Sequence, residues 1–193
     1  MMADPDQRSA RPRDLRPRPV RRSLPALLLL AIALGVAWMV RPAHEQQPEA
    51  LDAATHEVLR VVDGDTLLLT NKARVRLLGV DTPETVKPDA PGEAWGPEAS
   101  AFSKAAVEGK PVRLEFDKER KDRYDRFLAY VFYQDPSTGG EKMLNEELIR
   151  HGLGDAALQY NYSEAMKRRF RKARDEAQRA GRGIWSADRR QAG

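Results

Sequence analysis

The chain has 193 residues, enough for one domain of ordinary size plus an appendage. Apolar residues make up 41% and charged residues 32%, so the surface is rich in charge but the apolar content suffices for a folded core. The absence of cysteine excludes a disulfide framework, thiolate zinc sites, iron–sulfur clusters and a cysteine nucleophile. The net charge of +4 is unevenly placed: residues 1–41 hold eight Arg and three Asp, and the remainder balances at −1. A nucleic-acid argument therefore has to rest on local arginines rather than on overall charge.

Residues 1–22 are Arg- and Pro-rich and read as a basic disordered N-terminus. Leu24 to Val40 then run without a charge, at the short end of what spans a bilayer, with Trp38 near the outer end. Residues 23–40 are expected to form a signal anchor or transmembrane helix, with the arginine flank inside and everything after Arg41 outside. A cleaved export signal is the alternative, although Arg41 spoils the small-residue pattern before Ala43. The expected localisation is thus membrane-anchored with the folded domain on the extracytoplasmic side, or secreted if the segment is cleaved. Residues 41–55 read as a linker, 56–187 as the folded domain and 188–193 as a tail.

Within that domain, residues 57–62 alternate and then run apolar, as a strand does. Asp63-Gly64-Asp65 is a turn signal, Thr66 to Thr70 a second strand closing a hairpin, and Arg74 to Val80 a third. Gly79 marks a bulge or a close backbone approach. Pro97 sits where the first residue of a helix would be and Gly109 just past its end. Pro111 to Phe116 and Phe127 to Tyr133 are further strands. Leu144, Leu148 and Ile149 share one face of a helix that stops at Gly152, and a last helix from near Ser163 carries Met166, Phe170, Ala173 and Ala177 on one face. The pattern predicts an α+β domain, mainly β: a five-stranded OB-type Greek-key barrel with three α-helices.

The densest polar cluster lies between two apolar strands. Asp63 and Asp65 come from one segment, and Arg76, Asp81, Thr82 and Glu84 from the other. Carboxylates from separate strands plus a backbone carbonyl make an oxygen-rich site that prefers a hard cation, Ca²⁺ above all. Taken singly, Asp63-Gly64-Asp65 is an ordinary hairpin turn, and it lacks the later ligands of an EF-hand. Arg76, in an otherwise apolar strand, needs a partner, for which an anion is natural; taken singly it is equally a strand arginine with its head at the barrel rim. Strand parity raises a difficulty: Arg76 and Asp81 are five apart, so a regular strand points them to opposite faces. They converge only if the strand bulges at Gly79 or ends before Asp81. Lys118 to Arg126 is a second basic cluster, a solvated loop on its charge alone, in which Tyr124 between Arg123 and Arg126 offers a ring for a base and cations for phosphates. The histidines lack metal-ligand spacing: His44 falls in the linker, His56 before the first strand and His151 at a helix end.

Together the segments V-D-G-D-T (62–66), R-L-L-G-V-D-T-P-E (76–84), G-P-E-A-S-A-F (96–102), D-R-Y-D-R-F-L-A-Y (122–130), N-E-E-L-I-R-H-G-L (145–153) and G-I-W-S (183–186) resemble the staphylococcal nuclease (thermonuclease) family. The resemblance covers residues 56–187 and implies an OB-type barrel with Ca²⁺-dependent endonuclease activity on DNA and RNA. It implies that Asp65 and Asp81 are Ca²⁺ carboxylate ligands and that Thr82 contributes its backbone carbonyl. Glu84 would orient or deprotonate the attacking water. Arg76 and Arg126 would bind the scissile phosphate, with Arg123, Tyr124 and Tyr160 holding the nucleotide. Cleavage of the bond to the 5′ oxygen, leaving 3′-phosphates, belongs to the same implication.

Two departures from the family pattern stand out. Trp95 replaces a tyrosine, and Leu158 falls where the first of two nucleotide-flanking tyrosines is expected. The competing readings are a catalytically inactive nucleic-acid- or protein-binding module on the same barrel, and a membrane-anchored Ca²⁺-binding structural protein. The acidic residues, Glu84 and both arginines occurring together favour the enzyme. The expected partners are single-stranded or locally melted DNA and RNA and, through the N-terminal helix, a membrane; the domain is expected to be monomeric.

Overall fold

The computed structural model describes residues 47–85 and 93–186. The basic N-terminus, the signal anchor, residues 41–46 of the linker and the tail expected from the sequence lie outside those residues. The rest of the expected linker is not free chain: Leu51 is buried in the core and Thr55 opens the first strand. Among the described residues no helix is long and apolar enough to cross a membrane.

Eight strands are described: β1 (Thr55–Asp63), β2 (Thr66–Leu69), β3 (Arg74–Leu77), β4 (Val80–Asp81), β5 (Pro111–Glu115), β6 (Phe127–Gln134), β7 (Glu141–Met143) and β8 (Asp155–Ala156). Three helices accompany them: α1 (Gly96–Val107), α2 (Leu144–Arg150) and α3 (Glu164–Arg179). Strands β1, β2 and β3 form an antiparallel meander. β5 pairs antiparallel with β1 and with β6, and β3 runs parallel to β6. The circuit β1-β2-β3-β6-β5-β1 thus closes on itself, the five-stranded barrel expected from the alternation pattern, with no open edge within the ring.

Inward positions are apolar. Val112 and Leu114 of β5, Val75 and Leu77 of β3, and Phe127, Ala129 and Val131 of β6 are all buried. The parity that sends Val75 and Leu77 inward sends Arg74 and Arg76 to the other face of β3. α3 seals one side with Phe170, Ala173 and Ala177, at spacings of three and four.

A buried polar staple joins the helical layer to the barrel. Asn145, at the start of α2, accepts from Val131 N at 2.9 Å and donates to Leu78 O at 2.9 Å and Ala129 O at 3.2 Å. It gives Val131 N and Leu78 O a partner where β3 leaves the ladder, and shares Ala129 O with Leu78 N.

Several sequence expectations shift. The single strand expected over 74–80 is two, β3 and β4, separated by a turn at Leu78-Gly79. His56 lies inside β1, paired with Asp52, rather than before it. α1 begins at Gly96, one residue before Pro97, with Trp95 in the left-handed region at φ 73°. Strands β7 and β8 have no counterpart in the sequence reading.

A candidate phosphate-binding cleft with paired carboxylates

The turn at Gly79 resolves the parity difficulty. Gly79 adopts φ 79°, a region open to glycine at little cost. A Cβ there would fall 2.6 Å from the Phe170 ring and 3.0 Å from the ring of Tyr162. The chain leaves β3, turns over these two rings and resumes as β4. The one-residue change of phase brings Asp81 back to the side of Arg76, and Arg76 Nη2 donates to Asp81 Oδ1 at 2.6 Å.

Asp65 completes the pair from the other direction. It lies in the β1–β2 turn, is buried, and its Oδ1 forms an ion pair with Arg76. Its Oδ2 accepts from both the backbone N and the hydroxyl of Thr82, each at 2.9 Å. Thr66 Oγ1 donates to Oδ1 at 3.1 Å. A buried carboxylate is tolerable only with this density of donors. The turn itself is held tightly. Ser103 of α1 donates to Gly64 O at 2.5 Å, and a Cβ on Gly64 would lie 2.8 Å from Thr82 Oγ1. Arg76 is a guanidinium shared by two carboxylates from separate segments. Its burial lowers its pKa; Asp81 opposes the shift, and the nearby Arg126 guanidinium adds to it.

The facing wall is the loop before β6. Asp122 Oδ1 accepts from Tyr124 N at 2.9 Å and Arg126 N at 3.0 Å, while its Oδ2 accepts from Arg126 Nε at 2.7 Å. Partial burial disfavours the charge on Asp122, but these donors outweigh it and hold its pKa below the usual carboxylate range. The Arg123 guanidinium lies 4.8 Å from the Tyr124 ring centroid and that of Arg126 5.3 Å from it. Tyr124 and Tyr160 stay largely exposed, at 60% and 51%, and line the same hollow.

Two adjoining hollows lie between the walls. One, of about 440 Å³, is lined by Asp63, Asp65, Arg74, Arg76, Asp81, Thr82, Glu84, Tyr124 and Arg126. The other, of about 420 Å³, shares Arg76, Tyr124 and Arg126 and adds Arg123 and Tyr160. All nine site residues expected from the sequence therefore border one continuous region. Glu84 is exposed at its edge. Its backbone is clamped by Glu93, whose N donates to Glu84 O at 2.9 Å, and by Gly96, where a Cβ would come within 2.7 Å of the same oxygen. Leu158, which has no ring to offer, is half-buried against the core.

The sequence reading missed two cleft residues. Arg74 lines the first hollow, two residues from Arg76 on the same strand face, and period-two alternation was signal enough to find it. Asp122 positions Arg126, and its only trace is a carboxylate four residues before an arginine in a loop where charge runs are usual.

Among the described residues no three His, Cys, Asp or Glu side chains are grouped to hold a metal ion. The donor chemistry nevertheless fits a hard cation. Asp65 and Asp81 are held so that both meet one positive group, Thr82 is bound directly to Asp65, and no thiolate or imidazole lines the hollow.

A closed OB-type barrel whose rim carries paired carboxylates facing two arginines defines an anion-binding domain of the kind that handles phosphate esters. Residues 74–187 match the family described as staphylococcal nuclease homologue, and the chain belongs to that family. It is 43% identical over 138 residues to the thermonuclease of Staphylococcus hyicus, covering 68% of this chain and 76% of that one. It is 42% identical over 131 residues to the thermonuclease of Staphylococcus intermedius, covering 66% of this chain and 74% of that one. The endonuclease YncB of Bacillus subtilis is 37% identical over 131 residues, with 66% of this chain and 59% of that one covered.

Proposed function

We propose that this chain is a Ca²⁺-dependent endonuclease that hydrolyses phosphodiester bonds of DNA and RNA, breaking the bond to the 5′ oxygen and leaving 3′-phosphates. The observation that carries the reading is the convergence of Asp65 and Asp81 on Arg76, with Arg126 on the opposite wall of the same cleft.

A phosphodiester seated between the walls meets Arg76 from the barrel and Arg126 from the loop. Two fixed guanidiniums in a partly desolvated cleft favour the extra negative charge of the five-coordinate phosphorus over the singly charged ground state. Arg126 faces the departing 5′ oxygen, and Asp122 fixes its guanidinium in direction. Glu84, exposed and with its backbone clamped, takes the proton of the attacking water or orders that water. Tyr124 and Tyr160 offer rings for the bases on either side, and Arg123 sits against the Tyr124 ring. Asp65, Asp81 and the Thr82 carbonyl would hold Ca²⁺, which supplies Lewis-acid polarisation of the phosphoryl group.

The test is incubation of the full chain with single-stranded DNA in Ca²⁺, in Mg²⁺ and in chelator, followed by end-group determination. Ca²⁺-dependent cleavage with 3′-phosphate ends is expected. Binding without cleavage in any metal would leave a nucleic-acid-binding module in its place. Residues 23–40 are proposed to anchor the domain on the extracytoplasmic side of a membrane, where external protease should remove it from intact cells.

A further inference from the structure

α3 carries seven lysines and arginines among its 16 residues, and they divide into two sets. Lys167 pairs with Glu164, Arg169 with Glu146, and Arg174 lies 3.8 Å from Asp175. Arg168, Arg171, Lys172 and Arg179 are exposed and form no ion pair among the described residues.

The unpaired set is ordered. At about 100° per residue, positions 168, 171, 172 and 179 fall within about 100° of arc, diametrically opposite Phe170, Ala173 and Ala177. The stripe runs about 16 Å along the axis, three helical turns. A shallow groove of about 290 Å³ lies along it, bordered by these four residues and Asp175. Mutual repulsion of four cations at these spacings costs helix stability, by a few tenths of a kcal/mol per pair. Asp175, four residues from Arg171 and from Arg179, offsets only part of that cost. Four cations against one carboxylate leave the face strongly positive, so a polyanion is the natural counterpart.

We propose that this face of α3 is a second nucleic-acid-binding surface, holding the sugar–phosphate backbone of a strand outside the cleft and reading no bases. The inference rests on the nuclease reading for its partner, not for its physics. Three guanidiniums and an ammonium with no aromatic or apolar residue between them suit phosphate oxygens rather than bases. A membrane surface fits less well. An interfacial helix needs its apolar face free to enter the headgroup region, and here that face is spent on the barrel core.

The experiment measures binding of the full chain to a thymidylate strand of about 20 nucleotides in chelator, across about 50 to 200 mM salt. Neutralising the stripe as Arg168→Gln, Arg171→Gln, Lys172→Gln and Arg179→Gln together should reduce the slope of log affinity against log salt by about 3, at about 0.7 per lost phosphate contact. Asp175→Lys should steepen it by about 0.7. With Ca²⁺, hydrolysis of a dinucleotide, too short to reach α3, should be unchanged in both variants. A failure of the nuclease reading would appear as a wild-type chain that cleaves neither substrate, while the binding slopes still report on the stripe. An unchanged slope in both variants, with the thermal transition retained, would overturn the proposal. So would loss of binding to vesicles of anionic lipid with DNA affinity intact, which would assign the face to a membrane.

Discussion

The two walls of the cleft hold their arginines by different means. Arg76 is part of the barrel: it projects from β3, pairs with buried Asp65, and meets Asp81 through a turn packed on Phe170 and Tyr162. Arg126 belongs to a loop that organises itself, since Asp122 takes both the side chain and two backbone N–H groups of its own segment. One arginine is coupled to the global fold, whereas the other hangs on a local clip. Activity and stability should therefore separate at the second and move together at the first.

The largest combined effect is expected at Arg76. Arg76→Gln removes the cation from Asp65, whose side chain is 3% exposed, and leaves a buried carboxylate without its counter-charge. A loss of about 3 kcal/mol in stability should accompany a fall of about a hundredfold or more in kcat. Thermal unfolding and single-turnover cleavage measure the two separately. A variant that lost activity with its Tm intact would break the coupling.

Arg126→Gly should match it in kcat, with a fall of about 10² to 10³, but lower stability by only about 1.5 kcal/mol, the worth of the Asp122 bond it removes and about half the loss at Arg76. The Asp122 backbone bonds survive the change, and Asp122 is only partly buried. Gly79→Ala reverses the pattern. It touches no substrate, yet it imposes a Cβ at positive φ against the Phe170 ring, which should cost about 2–4 kcal/mol. Its effect on kcat then reports how far the approach of Asp81 to Arg76 depends on the turn.

The same division governs what the sequence made legible. The barrel strands announced themselves by alternation, and Arg76 could be singled out because a guanidinium rarely sits among apolar strand residues without a partner. Asp65 and Asp81, each in a segment that reads alone as a turn, could be named as a pair only through the resemblance to the nuclease family. Whether Arg76 and Asp81 meet could not be read from their spacing. It depends on Gly79 turning over Phe170 and Tyr162, rings that arrive from more than 80 residues further along the chain. β7 and β8, of three and two residues, are too short for any periodicity to register. Asp122 was hidden for the opposite reason. Its contacts are all local, but a carboxylate in a run of charges carries no mark that separates a clip from solvated surface.

Asp122 also gives the smallest effect and the finest test of the contrast. In Asp122→Asn the amide oxygen can still accept from the backbone of Tyr124 and Arg126, so the loop keeps its shape. What goes is the charge-assisted bond to Arg126 Nε, worth about 1.5 kcal/mol, or about tenfold in kcat if the guanidinium then wanders. Its pH dependence has a definite sign. The folded pKa of Asp122 lies below its unfolded value of about 3.9, because the donors around it outweigh burial. Its contribution to stability is therefore fully present above that unfolded pKa and is lost as pH falls through the folded one. Wild type and Asp122→Asn should differ in stability at neutral pH and converge in strong acid, where the wild-type carboxyl is protonated too. A stability gap that persisted to the bottom of the acid titration would mean that the clip acts by shape rather than by charge. Arg126 would then be held as firmly as Arg76.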